Sequence, residues 1–243
     1  MFYIELAELT IKIENKYPQL EKLCCDYIVQ PREYDFCVSV DDEQIDTELA
    51  KSENKFSRAY AESICVYRDI CMRLPMYDAF VFHASVVEYA GRAYAFAAQS
   101  GTGKSTHSML WLNYFNGARI INGDKPILRI KNDIVYVYGT PWCGKEGFNI
   151  NARAPLFSIC FLERNINNSI EKITPDEALG RLFNQILIPG DRLAAEKFLY
   201  LIDLLLAKVS CYLLQCNMSE EAAYIAYKGM NNIKEEGFYE EEK

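Results

Sequence analysis

The chain has 243 residues, half of them hydrophobic, and carries a net charge of −8. Its length and apolar content support a sizeable core, either one large domain or a main domain with a small appendage. The acidic balance argues against nonspecific nucleic-acid binding, so any phosphate site must gather positive charge locally.

Residues 2–13 alternate roughly between apolar and polar, as a half-buried strand does. Residues 19–29 read as helical, and Tyr34 to Val40 as a second strand. Lys55 to Leu74 is a helix, with Ala59, Ile64, Tyr67, Ile70 and Cys71 spaced for one face, and Pro75 ends it. Residues 1–78 thus read as a small N-terminal α+β module. Phe80 to Glu88 and Arg92 to Ala98 are two strands joined near Ala90-Gly91, a hairpin signal. A helix bearing Met109, Leu110 and Leu112 runs to about Phe115, where Asn116-Gly117 breaks it. Arg119 to Asn122 is a short strand. Pro126 to Ile130 and Ile134 to Tyr138 pair around Lys131-Asn132-Asp133. Gly139 to Gly147 is a loop, and Leu156 to Glu163 is a strongly β-like strand. The rest is mostly helical: one helix starts at Pro175 with acids in its first turn, and another spans about 191–207 after Pro189-Gly190. Val209 to Cys216 is a last strand, and Asn217 or Ser219 caps a final helix. The acidic tail, 236–243, reads as a solvated end. The fold class is α/β with a mixed α+β sheet, the main domain covering 79–235.

The most informative stretch is Ala97-Ala98-Gln99-Ser100-Gly101-Thr102-Gly103-Lys104-Ser105-Thr106. It reads as a phosphate-binding P-loop of the Walker A type, entered from the apolar run Tyr94 to Ala98 and left by a helix. Successive backbone N–H groups in a Gly-rich turn, with a helix N-terminus, cradle anionic oxygens. Ser100, Gly101, Thr102, Gly103, Lys104, Ser105 and Thr106 are the expected nucleotide-binding residues. Lys104 would reach the outer phosphates, and the Ser105 hydroxyl would ligate Mg²⁺. Ala98 stands where the standard pattern has Gly, which is tolerable if its φ is negative.

Three further features bear on the chemistry. His83 lies on a strand beside the one feeding the loop, where its imidazole either approaches the phosphates or is satisfied by a core hydrogen bond. Asp124 follows the strand after the loop helix, where a phosphoryl-transfer enzyme needs a metal ligand or a general base; the alternative is a turn aspartate before Lys125-Pro126. Pro141-Trp142-Cys143-Gly144-Lys145-Glu146 binds nucleotide or acceptor, or is a packed surface turn. Lys145 and Arg153 are candidates for extra positive charge over the transferring group.

Taken together, His83-Ala84-Ser85, Ser100 to Ser105 and Gly123-Asp124 resemble the catalytic domain of bacterial HPr kinase/phosphorylase. That family carries His-Gly or His-Ala on a strand, a GxSGxGKS-type loop, and then a strand ending in Asp-Asp. Its fold is related to phosphoenolpyruvate carboxykinase rather than to Ras-like or RecA-like NTPases. Gly139 to Gly147 and Pro155 to Arg164 also resemble smaller HPr-kinase-like proteins, some found near peptide-modification genes. The resemblance implies an ATP-dependent, Mg²⁺-requiring phosphotransferase acting on a hydroxyl of a peptide, a protein or a small molecule. By the same resemblance Lys104 and Ser105 hold the β/γ-phosphates and Mg²⁺. Asp124 binds metal or accepts the acceptor's proton, and His83 aids phosphate positioning. The family's first Asp is Gly123 here. That departure keeps open a nucleotide-binding regulatory module without turnover, and a small-molecule kinase using pyrophosphate is a third reading.

Nine scattered Cys without a Cys-x-x-Cys pair, and two His, argue against a zinc site. Most of the Cys sit in apolar runs, as buried reduced thiols of a cytoplasmic protein do. Met1-Phe2-Tyr3-Ile4-Glu5 lacks the basic start of a signal peptide. Phe198 to Ala207 is too short to span a membrane and is interrupted by Asp203. Neither membrane nor nucleic acid is an expected partner. The family often forms multimers, and Tyr200, Tyr212, Tyr224 and Tyr227 read as core or as an interface.

Overall fold

The computed structural model describes residues 1–51 and 56–233. The chain is mixed α/β and carries two mixed sheets. The first sheet contains β1 (Phe2–Leu6), β2 (Leu9–Glu14), β3 (Ile28–Val29) and β4 (Phe36–Ser39), ordered β3-β1-β2-β4. Around it lie α1 (Pro18–Leu23), α2 (Asp42–Lys51) and α3 (Arg58–Arg73).

Residues 2–13 form a hairpin rather than one strand. Ala7 and Glu8 take φ of 52° and 61° and reverse the chain. Neither is the Gly or Asn that marks such a turn, so the alternation read straight through it. The helical reading of 19–29 holds only to Leu23; a 3₁₀ turn over Cys25–Tyr27 and β3 follow. The helix α2 was not expected, because it buries only Ile45 and shows no apolar stripe. Helix α3 begins where the Ser57 hydroxyl accepts from the Tyr60 N–H (3.2 Å), a cap worth about 1 kcal/mol. The start of the expected helix at Lys55, and the acidic tail, lie outside the described residues.

The second sheet holds β5 (Ala79–Val81), β6 (Ser85–Tyr89), β7 (Arg92–Ala97), β8 (Arg119–Asn122), β9 (Ile127–Lys131), β10 (Ile134–Tyr138) and β11 (Arg153–Arg164). Their order is β5-β9-β10-β11-β7-β6-β8. β12 (Ser169–Lys172), unexpected from the sequence, pairs antiparallel with β13 (Ser210–Cys216), which runs parallel to β11. β7 is also parallel to β11, whereas β6 is antiparallel to both β7 and β8. The carboxyl ends of β7, β8, β11 and β13 therefore share one edge of the sheet, where ligands gather in such folds.

Side-chain alternation divides this sheet into two faces. Val86, Ala93, Ala95, Ala97, Ile159 and Phe161 pack on α5 (Pro175–Leu182) and α6 (Arg192–Lys208). Val87, Tyr94, Phe96, Cys160 and Leu162 pack on α4 (Lys104–Tyr114) and α7 (Glu220–Met230). With helices on both faces the central strands read as continuous apolar runs. A third cluster joins the two sheets: Ala79, Val81, Ile127, Tyr138 and Trp142 share a core with Ile4, Ile11, Val66 and Ile70.

The expected strand from Phe80 to Glu88 is broken at Phe82–Ala84. There the Phe82, His83 and Ala84 N–H groups donate to the carbonyls of Pro126 (3.0 Å), Gln185 (2.8 Å) and Asp124 (3.2 Å). Four of the nine cysteines are buried, Cys25 is exposed, and all nine are free thiols. Tyr212 is core, whereas Tyr200 is 54% exposed. Among the described residues, no helix is long and apolar enough to cross a membrane.

Candidate active site

The loop from Ala98 to Gly103 leaves the carboxyl end of β7 and opens α4 at Lys104. Gly101 (φ 79°) and Gly103 (φ 127°) need the backbone freedom of glycine. Ala98 keeps a negative φ, which is why alanine is tolerated there. Arg164, the last residue of β11, donates to the carbonyls of Thr102 (3.0 Å) and Gly101 and fixes the loop against the neighbouring strand. Gln99, Ser100 and Gly101 are exposed, Thr102, Gly103 and Ser105 half-buried, and Thr106 exposed.

Lys104 is buried, and its ammonium donates to the Ala98 carbonyl (3.0 Å). Burial pushes its pKa down, and the carboxylates of Asp124 and Glu146 offset this only in part. On α4, His107, Ser108 and Trp111 are buried, Leu110 and Leu112 are half-buried against the same core, and Met109 is exposed. Two polar pairs lie on this face. Ser108 Oγ donates to Ser85 Oγ (2.7 Å), and Trp111 Nε1 donates to His107 Nε2 (3.1 Å).

His83 sits in the link between β5 and β6 rather than on a strand. Its Nε2 lies 3.0 Å from Asp124 Oδ1. The Gln185 carboxamide, with its nitrogen turned toward the available acceptors, donates to His83 Nδ1 (3.1 Å) and to the Ala98 carbonyl (3.2 Å). That contact leaves the imidazole proton on Nε2, facing Asp124. The 3₁₀ turn after α5 thereby links His83 to the start of the 98–103 loop.

Asp124 follows β8 at the same edge. Burial pushes its pKa up, but the hydrogen bond from His83 and the charge of Lys125 (3.4 Å away) outweigh this and hold it below the usual carboxylate range. Asn122, fully buried, shapes the turn. Its Oδ1 accepts from the N–H of Asp124 (2.9 Å) and Lys125 (2.7 Å), and its Nδ2 donates to the Thr140 carbonyl (3.0 Å). The 139–147 loop therefore lies directly on this turn. A Cβ at Gly123 would stand 3.2 Å from the Cys143 carbonyl oxygen, and one at Gly144 3.1 Å from Asp124 Cβ. A side chain at position 123 would press on the Cys143 carbonyl, which would have to shift by a few tenths of an ångström.

Arg153 lies at the wrong end of β11 for phosphate chemistry; it pairs with Glu8 and stacks on Tyr136. Arg164, at the other end, is the arginine beside the loop. Asn122, Gln185 and Arg164 were not singled out from the sequence. Asn122 carried a signal, since Asn before Gly-Asp favours an Asx turn. Gln185 and Arg164 reach the site from distant elements and carried none.

Two cavities flank the loop. One, of about 410 Å³, is lined by Gly101, Thr106, His107, Leu110, Leu162 and Met218 among others. The other, of about 530 Å³, is more polar and is lined by Ser100, Thr102, Arg164, Arg181 and Gln185 among others. Among the described residues no three His, Cys, Asp or Glu side chains cluster as a protein-only metal cage. Ser105 carries a half-buried hydroxyl and Asp124 a carboxylate, oxygen donors of the type Mg²⁺ takes alongside phosphate and water.

No family model matches the chain, and no curated protein matches it. Among solved structures it is similar to the HPr(Ser) kinase/phosphatase from Coxiella burnetii. The sequence identity is 9%, the overlap covers 63% of this chain and 95% of that one, and the TM-score is 0.36. An overlap that loose fixes neither fold nor activity.

Proposed function

We propose that this chain is an ATP-dependent, Mg²⁺-requiring phosphotransferase of the HPr-kinase-like group, with a phosphoenolpyruvate-carboxykinase-related P-loop fold. It transfers the γ-phosphate to a hydroxyl. The observation that carries this reading is the meeting, at one sheet edge, of a Lys104-bearing P-loop with an Asp124 carboxylate oriented by His83.

In this reading the loop N–H groups and Lys104 neutralise the phosphates, and Lys104 exchanges the Ala98 carbonyl for a phosphate oxygen. Its burial strengthens that contact, since charge pairs gain in a drier site. Leu110, Leu162 and Met218 give the smaller cavity an apolar wall suited to a nucleobase. Ser105 and Asp124 would hold Mg²⁺, which offsets charge on the transferring group. The acceptor oxygen attacks phosphorus and its proton passes to Asp124. The bond from phosphorus to the bridging oxygen then breaks, its electron pair leaving on ADP. His83 is a positioning residue: donating from Nε2, it keeps Asp124 ionised and aimed.

Gly123 favours a second reading, a nucleotide-binding module without turnover. The two are separated by incubating the protein with γ-labelled ATP, Mg²⁺ and candidate serine peptides. Label transferred to an acceptor supports the first; saturable ATP binding with neither transfer nor hydrolysis supports the second.

A further inference from the structure

A third cavity, of about 690 Å³, is lined by Asp124. Its lining shares no residue with the two cavities beside the P-loop. Part of the lining is the 141–145 segment with Asp124 and Lys125, and the rest comes from α1 and α3 through Gln19, Lys22, Leu23, Tyr60 and Ser63. The N-terminal helices thus complete a pocket whose floor is the carboxylate beside the phosphate loop.

The charge of this pocket is set against that of the chain. The protein carries −8 overall, yet the lining holds Lys22, Lys125 and Lys145 against the single carboxylate of Asp124. Lys125 is spent on Asp124 (3.4 Å) and on the Tyr67 ring (5.2 Å). Lys22 and Lys145 are exposed and, among the described residues, have no acidic partner within ion-pair distance. Two ammonium groups without an acidic partner, brought to one lining by α1 and by the 141–145 segment, suit an anion held in the pocket. Trp142, tilted against Tyr67 (5.3 Å), supplies an aromatic wall.

We propose that this cavity is the acceptor site, and that it takes a hydroxyl carried beside carboxylates, as a serine in an acidic peptide segment is. The proposal rests on the phosphotransferase reading for the chemistry, not for the binding. The hydroxyl lies toward Asp124, which takes its proton, and the flanking carboxylates lie toward Lys22 and Lys145. The volume admits a few residues of an extended segment, within the usual range for ligand sites. The same chemistry is offered by a free hydroxy acid, so the test contains both.

The experiment is calorimetric titration of the full chain, with and without a non-hydrolysable ATP analogue and Mg²⁺, against three serine peptides and a small α-hydroxy acid. The peptides differ only in whether Glu, Gln or Lys flanks the serine. The acidic peptide should bind tightest, and the K22E/K145E variant should weaken it by about tenfold or more, the size expected for lost charge-assisted contacts. ATP-analogue affinity should not change in that variant, which also reports that it is folded. Preference for the free hydroxy acid, with the same loss in K22E/K145E, assigns the pocket to small-molecule acceptors and overturns the peptide source. Equal binding of all three peptides, or no effect of the double substitution, overturns the site. Binding with this preference but no transfer of label leaves the acceptor site standing and defeats the phosphotransferase reading.

Discussion

His83 Nε2 and Asp124 Oδ1 lie 3.0 Å apart, and the other nitrogen of the same imidazole accepts from Gln185. The ring is therefore held at both ends, and its proton is directed at the Asp124 carboxylate. Replacing His83 with Ala removes the hydrogen bond that lowers the Asp124 pKa. The folded carboxyl is then protonated at higher pH, so the acid limb of kcat/KM should move to higher pH. ATP affinity at pH 8 should change little. The sign follows from linkage: Asp124 titrates lower in the folded chain than in the unfolded one, so its stabilisation is present above the unfolded pKa and lost as pH falls through the folded value. A pH–rate profile unchanged in His83→Ala would rule out the positioning role.

Asp124→Asn should keep ATP binding while lowering transfer by about 10²–10⁴-fold, the range for loss of a general base. Single-turnover transfer and equilibrium binding, measured on the same preparation, check this. Transfer at the wild-type rate would remove Asp124 from the mechanism.

Lys104→Ala should weaken ATP by roughly 10- to 100-fold, through loss of a charge-assisted contact to phosphate. The fold should survive, since the Ala98 carbonyl that Lys104 contacts also accepts from Gln185. Titration with a fluorescent ATP analogue and a thermal melt read the two effects separately.

His107 gives a stability prediction independent of function. It is buried, its Nε2 accepts from Trp111, and its Nδ1 has no partner among the described residues. Burial lowers its pKa from 6.5 to about 3. Between those values the unfolded chain takes up a proton that the folded chain refuses. Stability should therefore fall as pH drops below 6.5, by about 2 kcal/mol at pH 5. His107→Gln keeps an acceptor for Trp111 and removes the titration, so its melting temperature should fall less between pH 7 and pH 5.

Gly139 admits no side chain: a Cβ there would sit 1.9 Å from the Ile150 carbonyl oxygen. Gly139→Ala should displace the 139–147 loop, lower the melting temperature by several degrees, and disturb acceptor binding more than ATP binding. Differential scanning calorimetry with both titrations tests it.

The parts of this molecule legible in sequence are those whose signals are local. The glycine-rich turn between β7 and α4, the β6–β7 and β9–β10 hairpins and the strand β13 announce themselves through glycines, turn pairs and apolar runs. Helix α2 did not, because its polar surface has no period. The β1–β2 turn did not, because Ala7 and Glu8 are not turn residues. Within the site, Asp124 and His83 were visible as candidates, but their contact needed the break at Phe82–Ala84 that lets the link meet the 124–126 turn. Gln185 and Arg164 arrive from remote elements, and no local pattern reports such arrivals.

Glu8 couples a local turn to a long-range contact. It holds φ of 61° in a tight turn, and its carboxylate takes Lys131, Arg153 and the Tyr138 hydroxyl from the other sheet. A consensus rule would put Gly there to relax the backbone. That change would ease one turn and cut the tie between two sheets. The sequence best for the hairpin in isolation and the sequence best for the whole chain differ at this residue, so redesign that treats segments one at a time will select the wrong one.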